Sequence, residues 1–213
     1  FMPTGTMQAA GGSYQWCRDA ICEREKALAN ELGLSPYDLM NLEASKIPAG
    51  SENLLFLPYL LGERAPWWNP HARGTFIGLT AFHRKPHLIR AVLEGVSFNL
   101  RIILDAFREQ GIKIENIRII GGGARGTFWA QILSSMFNME ILRPKYLEEA
   151  TSLGAAIAGG VGVGIFPNFD VAEKLIEIRD CYQPISEDVE TYNQLYPVFI
   201  QAYQSLVQVF EHL

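Results

Sequence analysis

The chain reads IIGGGARGTFWAQ over residues 119–131. An apolar stretch enters three consecutive glycines and an amphipathic segment leaves them, which predicts a strand, a turn of bare backbone and the N-terminus of a helix. Because glycine has no Cβ, such a turn lets a flat or anionic ligand approach the main chain closely. The helix start adds free N–H groups and the positive end of a dipole. This stretch therefore predicts a nucleotide-binding site.

Amphipathic helices surround this turn along the chain. Apolar spacing predicts helices over residues 11–32, 86–110, 127–138 and 189–211, and a strand over 117–120. The second of these helices repeats apolar residues at spacings of three and four, which predicts one buried face made of Leu88, Val92, Val96, Leu100, Ile103 and Phe107. No repeat or linker divides the chain, so we expect a single α/β domain.

Composition excludes several classes of protein. The 213 residues are 48% hydrophobic and 19% charged, which supports a sizeable core and argues against disorder. The net charge is −5 and no basic patch is present, so we expect no nucleic-acid partner. No apolar stretch approaches the length of a membrane span and no signal peptide is present, so we expect no membrane partner.

The cysteines and the first residues suggest where the protein resides and how the chain begins. Three cysteines, an odd number with no Cys-x-x-Cys pair, predict reduced thiols and a cytoplasmic location. A metal or redox role for these thiols is the alternative. The chain opens on Phe1-Met2-Pro3 in mid-pattern, which suggests a fragment of a longer protein.

The glycine turn permits three interpretations. Gly121, Gly123 and Gly126 satisfy G-x-G-x-x-G, the fingerprint of an NAD-binding Rossmann unit. That unit usually stands early in its domain and ends its second strand in an acidic residue, whereas Glu140 begins the strand here. A tight turn without a ligand is the second interpretation, although it explains three glycines poorly. The third is an actin-like, two-domain sugar kinase in which such a turn receives adenosine.

Several spaced motifs favour the third interpretation. The chain reads GTFIGL over residues 74–79 and HLIRAVLE over 87–94, seven residues later. FLPYLLGERAP over 56–66 leads to Ala-Arg-Gly at 72–74, and SLGAAIAG stands at 152–159. These segments, in this order, resemble the FGGY carbohydrate kinases from about Ala10 to the C-terminus. The Gly-Glu-Arg version of the loop looks most like the xylulose kinases; gluconate kinases share much of it, and glycerol kinases lack the Gly-Glu-Arg.

The resemblance implies a fold, and it implies that two domains carry different parts of the reaction. The fold is α/β and ribonuclease-H-like, as in actin and Hsp70 ATPases, with a mixed sheet flanked by helices. Residues 1–213 resemble only the C-terminal nucleotide-binding domain of a two-domain sugar kinase. The sugar site and the catalytic aspartate belong to an N-terminal domain upstream of Phe1, so we assign no catalytic residue and no metal ligand in this sequence.

The resemblance also implies cofactors, partners and site residues. ATP or ADP with Mg²⁺ are the cofactors, and the partners are the N-terminal domain and a small-molecule sugar; a homodimer is compatible with the same resemblance. Four positions match nucleotide contacts of the family: Gly11, Gln15, Gly123 and Thr127. Relatives often have Ser-Pro or Ser-Asn where this chain has Gly126-Thr127. The pair Gly5-Thr6 is not assigned as the phosphate-binding Gly-Thr, because the resemblance places that loop before Phe1.

The function implied is ATP-dependent phosphorylation of D-xylulose to D-xylulose 5-phosphate, with gluconate or another sugar as the alternative substrate. An NAD-binding dehydrogenase half and a non-catalytic actin-like binding module are the alternatives from other classes.

Two conspicuous features favour structural roles. The loop over residues 62–74 carries two prolines and two tryptophans, which is typical of a packed loop. A sugar stacked on a tryptophan, with an arginine of the loop holding a phosphate, is the alternative. Glu94 is a lone carboxylate, and we expect it in an ion pair at a helix surface or hinge.

Overall fold

The computed structural model describes residues 3–213. The expectation that the chain opens in mid-pattern rests on Phe1-Met2-Pro3, and Phe1 and Met2 lie outside the described residues. The helices of the described part are Ala10–Ala20 (α1), Glu23–Leu32 (α2), Pro36–Ala44 (α3), Lys85–Glu109 (α4), Thr127–Phe137 (α5), Ala150–Gly162 (α6), Val171–Leu175 (α7) and Ser186–Phe210 (α8). The strands are Leu55–Leu57 (β1), Thr75–Ile77 (β2), Ile117–Arg118 (β3), Ile141–Pro144 (β4) and Ile178–Tyr182 (β5). None of the described helices has the length and apolar character needed to cross a membrane.

The long helix α4 lies at the centre of the molecule. It packs against β1, α5, α3 and α1. The apolar spacing predicted one buried face, but residues 89–99 are all buried, so the middle of α4 is enclosed on every side. Polar positions that sequence spacing assigns to solvent, such as Glu94 and Asn99, therefore need internal partners.

The strands form two small sheets in the described part of the chain. β1 and β2 pair antiparallel. β3 pairs parallel with β4, and β4 pairs antiparallel with β5, which gives a mixed sheet in the order β3-β4-β5. The glycine turn follows β3 directly and leads into α5, as the sequence predicted. The sheet and α5 thus fix both ends of the turn.

The first predicted helix is divided into two. The sequence predicted one helix over residues 11–32, whereas α1 ends at Ala20 and α2 begins at Glu23. Cys17 and Cys22 are both fully buried. Residues five apart do not share one face of a continuous helix, so the break lets both thiols enter the core.

Candidate nucleotide site

A cleft of about 490 Å³ lies between the start of α1, the helix α3 and the glycine turn. Three of the four predicted nucleotide contacts line it, namely Gly11, Gln15 and Gly123. Gly123 is more than a hundred positions from Gly11 and Gln15 in the chain, and the fold brings all three to one cleft. Their roles as nucleotide contacts remain predictions.

The first wall of the cleft is the N-terminal half of α1. Ala9 precedes this helix without a side-chain cap, so the first N–H groups of α1 are not satisfied by a capping side chain. Gly11 and Gly12 are exposed, and a Cβ added to either would meet no atom within 4 Å. The backbone therefore faces open space at the point where an anion gains most from free N–H groups and the helix dipole. Gln15 and Arg18 continue the wall along the same helix.

The second wall is the glycine turn. Gly121 has φ 78° and ψ −170°, a conformation open almost only to glycine. A Cβ on Gly122 would meet nothing, whereas a Cβ on Gly123 would lie 3.0 Å from the Trp129 ring. Helix α5 then begins after Gly126, again without a side-chain cap. A second set of free helix N–H groups therefore stands beside the bare backbone.

Thr127 lies at the edge of this arrangement. It is the first residue of α5 and is exposed. Its side chain does not line the main cleft but a shallow neighbouring depression, which it shares with Asn41 and Gln131. Asn41 lines both the cleft and this depression.

The third wall is α3, which the sequence did not indicate. Tyr37, Asp38 and Asn41 line the cleft from this helix. The Tyr14 ring lies against Tyr37 at a centroid distance of 5.1 Å. Nothing in the local pattern of α3 indicates a site, because its contribution depends on how the chain folds back. Tyr14 and Arg18, by contrast, lie three and seven residues after Gly11, and helical spacing is a signal by which they could have been found.

The arginines of the cleft already have partners. Arg18 donates to the Asp19 carboxylate from Nε at 3.0 Å and to Tyr37 Oη from Nη1 at 2.8 Å. Hydrogen bonding from Arg18 lowers the pKa of Asp19. Arg125 is paired with Glu148. An anion in the cleft would therefore depend mainly on backbone N–H groups and less on unpaired guanidinium groups.

A buried arginine holds the turn in place. Arg143, on β4, donates from Nη1 to the carbonyl of Arg125 at 3.0 Å and to that of Ala124 at 3.4 Å. Its Nε donates to the Asp180 carboxylate on β5 at 2.8 Å. The sheet thus fixes the carbonyl groups at the end of the turn.

The loop over residues 62–74 is packed, as its composition predicted. The Trp67 indole donates to Tyr59 Oη at 2.8 Å and stacks on Tyr203 at 4.4 Å. Glu63 is buried and accepts from the backbone N–H of Arg64 at 2.7 Å. Trp68, in contrast, is 79% exposed. None of these residues lines the cleft between α1, α3 and the glycine turn.

Gly5 and Thr6 lie away from the cleft. A Cβ on Gly5 would be 2.3 Å from Ile103 of α4, so this glycine serves a close contact with that helix. Neither residue lines the cleft. Among residues 3–213, no group of three or more His, Cys, Asp or Glu side chains is arranged to hold a metal ion.

The fold is an α/β domain with a cleft between α1, α3 and the glycine turn, and comparison with known proteins identifies its family. The family described as the FGGY family of carbohydrate kinases, C-terminal domain, matches residues 1–163. The chain therefore belongs to the FGGY carbohydrate kinases, whose members are phosphotransferases, and its resemblance to that family is confirmed.

Individual relatives give the same result. Gluconokinase of Bacillus subtilis is 39% identical over 197 residues, which cover 92% of this chain and 38% of that protein. The ligand-bound crystal structure of xylulose kinase from Lactobacillus acidophilus superposes with a TM-score of 0.85 at 29% identity, over 97% of this chain and 40% of that one. The structure of Plasmodium falciparum glycerol kinase with ADP superposes with a TM-score of 0.74 at 25% identity, over 93% and 38%.

The fold is the actin- and Hsp70-like ATPase fold of the FGGY kinases, as predicted. The chain spans about 40% of the length of the relatives it matches.

Proposed function

We propose that this chain is the nucleotide-binding C-terminal domain, residues 1–213, of a two-domain kinase that phosphorylates D-xylulose to D-xylulose 5-phosphate with ATP. The observation that carries the proposal is the convergence of two uncapped helix N-termini and bare glycine backbone on one cleft. Membership of the FGGY family and the ADP named in the glycerol kinase relative support it.

In this proposal the chain positions the phosphoryl donor. The first N–H groups of α1, beside Gly11 and Gly12, bind phosphate oxygens, and Gln15 adds a polar contact one helical turn later. Gly123 receives the adenosine end against Trp129. Thr127 contributes its backbone N–H at the start of α5. Phosphoryl transfer depends largely on such positioning and on stabilisation of charge.

The remaining chemistry belongs to the other domain. We propose that the N-terminal domain is the partner that brings the sugar and the base for its hydroxyl group, and that closure of the two domains excludes water. Magnesium neutralises phosphate charge when it accompanies ATP. The described residues offer no cluster of ligands for it, so no step is assigned to it in this chain. The cytoplasm is the proposed compartment, because all three cysteines are free thiols, two of them buried.

Gluconate is the second candidate substrate. The 39% identity to a gluconokinase supports it, and the TM-scores of 0.82 to a gluconate kinase and 0.85 to a xylulose kinase are similar. The groups that distinguish a ketopentose from a sugar acid must contact the sugar, and we place that site on the N-terminal domain.

Calorimetric titration of the 213-residue chain with ADP and with NAD tests the nucleotide site. We expect ADP to bind and NAD not to bind. Gly11→Val should abolish ADP binding, because its side chain enters the cleft without meeting protein atoms. Gly154→Val is the matched control, since this helical glycine also has open space around its Cβ but lies outside the cleft. Binding of NAD without ADP would contradict the proposal.

The substrate is tested in the full-length protein that carries this chain. ADP release is measured across D-xylulose, gluconate, other pentoses and hexoses, and glycerol. The greatest kcat/KM is expected for D-xylulose. A preference for gluconate would support the second candidate, and no sugar-dependent ADP release would favour a binding module without catalysis.

A further inference from the structure

Asn41 carries a carboxamide whose orientation is fixed within the nucleotide cleft. Its Oδ1 accepts from Tyr14 Oη at 2.8 Å. The Tyr14 ring is itself held between Tyr37 and Trp129, at centroid distances of 5.1 and 5.9 Å. Burial raises the pKa of Tyr14, so its hydroxyl keeps its proton and remains a donor at neutral pH. Oδ1 of Asn41 therefore points to Tyr14 and keeps one lone pair free.

The amide nitrogen of Asn41 lies against the glycine turn. A Cβ added to Gly126 would be 2.9 Å from Asn41 Nδ2, so the amide rests directly on bare backbone. Among the hydrogen bonds of the described residues, Nδ2 donates none. Since Asn41 is half-buried and lines the cleft, this donor is available to a ligand there.

The charges of the cleft determine which end of a nucleotide meets Asn41. Asp38, on the same wall, is an exposed carboxylate that repels phosphate groups from α3. Gly11 and Gly12 lie at the uncapped start of α1, and this helix N-terminus attracts phosphate groups. With the phosphates at α1, the base lies towards α3 and Asn41.

Resting on the proposed function, we infer that Asn41 reads the base of the bound nucleotide and selects adenine over guanine. Adenine presents an amino donor at N6 beside an acceptor at N7, and a carboxamide matches this pair with one acceptor and one donor. Guanine presents the acceptor O6 in place of the amino group, so O6 faces Oδ1 and the pairing is lost. Asn41 is thus a specificity-determining residue, and Tyr14 is a positioning residue that acts through it.

Titration of the chain with ADP and GDP tests this inference, with the ratio of the two affinities as the readout. The wild-type chain should prefer ADP by about tenfold. Asn41→Asp replaces the Nδ2 donor with an oxygen and should remove this preference. Asn30→Asp is the matched control, because it adds the same charge at an exposed position on α2 outside the cleft and should leave the ratio unchanged.

A second variant keeps the test decisive if Asn41→Asp unfolds the chain. Tyr14→Phe keeps the ring and removes only the hydroxyl group, and the ratio should fall about threefold as Asn41 loses its fixed orientation. Thermal unfolding of each variant verifies the fold. Equal affinity of the wild-type chain for ADP and GDP, or an unchanged ratio in both variants, would overturn the role of Asn41 while leaving the proposed function intact. No binding of ADP to the wild-type chain would overturn the proposed function itself.

Discussion

Glu94 accepts hydrogen bonds from three different parts of the chain inside the core. Arg90 Nε donates to it at 2.7 Å from the previous turn of α4, and Tyr192 Oη donates at 2.9 Å from α8. The backbone N–H of Gly50 and the Ser51 hydroxyl donate at 3.0 and 2.7 Å. The predicted ion pair is present, but the predicted surface position is wrong, because partners distant in sequence cover this face of the helix.

These hydrogen bonds hold a strained segment. Ser51, Glu52 and Asn53 all have positive φ, at 49°, 55° and 65°. Non-glycine residues adopt this region at a cost, and three in succession persist only where the surroundings fix them. Glu94 therefore stabilises the segment that enters β1.

Replacement of Glu94 should destabilise the protein strongly. Glu94→Ala leaves the buried Arg90 guanidinium without its carboxylate, and the expected loss is about 3–5 kcal/mol of unfolding free energy. Chemical denaturation at neutral pH measures it. The control is Glu190→Ala, an exposed carboxylate on α8 that should change the stability by less than about 0.5 kcal/mol. Equal effects of the two variants would show that burial of Glu94 contributes nothing.

The raised pKa of Glu63 predicts that the stability of the protein depends on pH. Burial raises the pKa of Glu63, although hydrogen bonds from Gln8, Arg64 and Asn99 oppose the shift. Because the pKa is higher in the folded state, the contribution of Glu63 to stability is fully present below its unfolded pKa. It is lost as the pH rises through the folded pKa. Relative to the non-titrating Glu63→Gln variant, the wild-type chain should therefore gain stability as the pH falls from 7 towards about 4.5.

Urea denaturation of both chains across that pH range measures the difference in unfolding free energy. Glu52→Gln, an exposed carboxylate change, is the control and should show no such trend. A difference between wild type and Glu63→Gln that stays constant with pH would contradict the raised pKa.

At the scale of elements, α4 and β1 approach each other through a single glycine. A Cβ on Gly95 would lie 2.0 Å from the carbonyl oxygen of Phe56. A backbone carbonyl group cannot move aside as the end of a flexible side chain can. The two elements can therefore pack this closely only when residue 95 has no Cβ. Packing thus explains the glycine that directly follows the HLIRAVLE segment.

Gly95→Ala should therefore destabilise the protein although alanine is the better helix former. Forced separation of α4 from β1 is expected to cost about 3 kcal/mol, which outweighs a gain in helix propensity of about 1 kcal/mol. Gly154→Ala in α6 is the matched control, because its Cβ meets nothing within 4 Å and only the propensity gain remains. Thermal unfolding of both variants should give shifts of opposite sign; shifts of the same sign would contradict this account.

Local sequence pattern predicted some of the helices and strands and missed others. The sequence predicted α4, α5 and α8 within about three residues, because long apolar periodicity marks them. It missed α7 and β5, which are five residues long each and bury no residue, so they show no apolar period. It also missed the break between α1 and α2, which the burial of Cys17 and Cys22 requires.

At the scale of the whole molecule, stability should be distributed unevenly. The middle of α4 is buried on every side, whereas α6 buries only Ile157 and Gly160, and α7 buries no residue. Opening α6 or α7 exposes little additional apolar surface, so local unfolding there costs little.

Hydrogen exchange of the 213-residue chain measures this distribution. Amides over residues 89–99 should exchange only with global unfolding, and those over 150–162 and 171–175 should exchange faster by at least about a hundredfold. The amides of α5, a helix of similar length to α6 with most residues buried, are the internal control and should follow α4. Equal protection of α4 and α6 would show that the chain opens as one unit.

The sequence by itself determined the glycine turn, the helices that flank it and the family, because these follow from local backbone preference, apolar period and motifs in order. It also identified Gly11, Gln15 and Gly123, which the fold brings to one cleft. Only the tertiary structure revealed the wall formed by Tyr37, Asp38 and Asn41, and it placed the Thr127 side chain in the neighbouring depression. Local pattern records which residues share a helix face, whereas a cleft depends on where the chain returns, and that is decided by the packing of distant elements around α4.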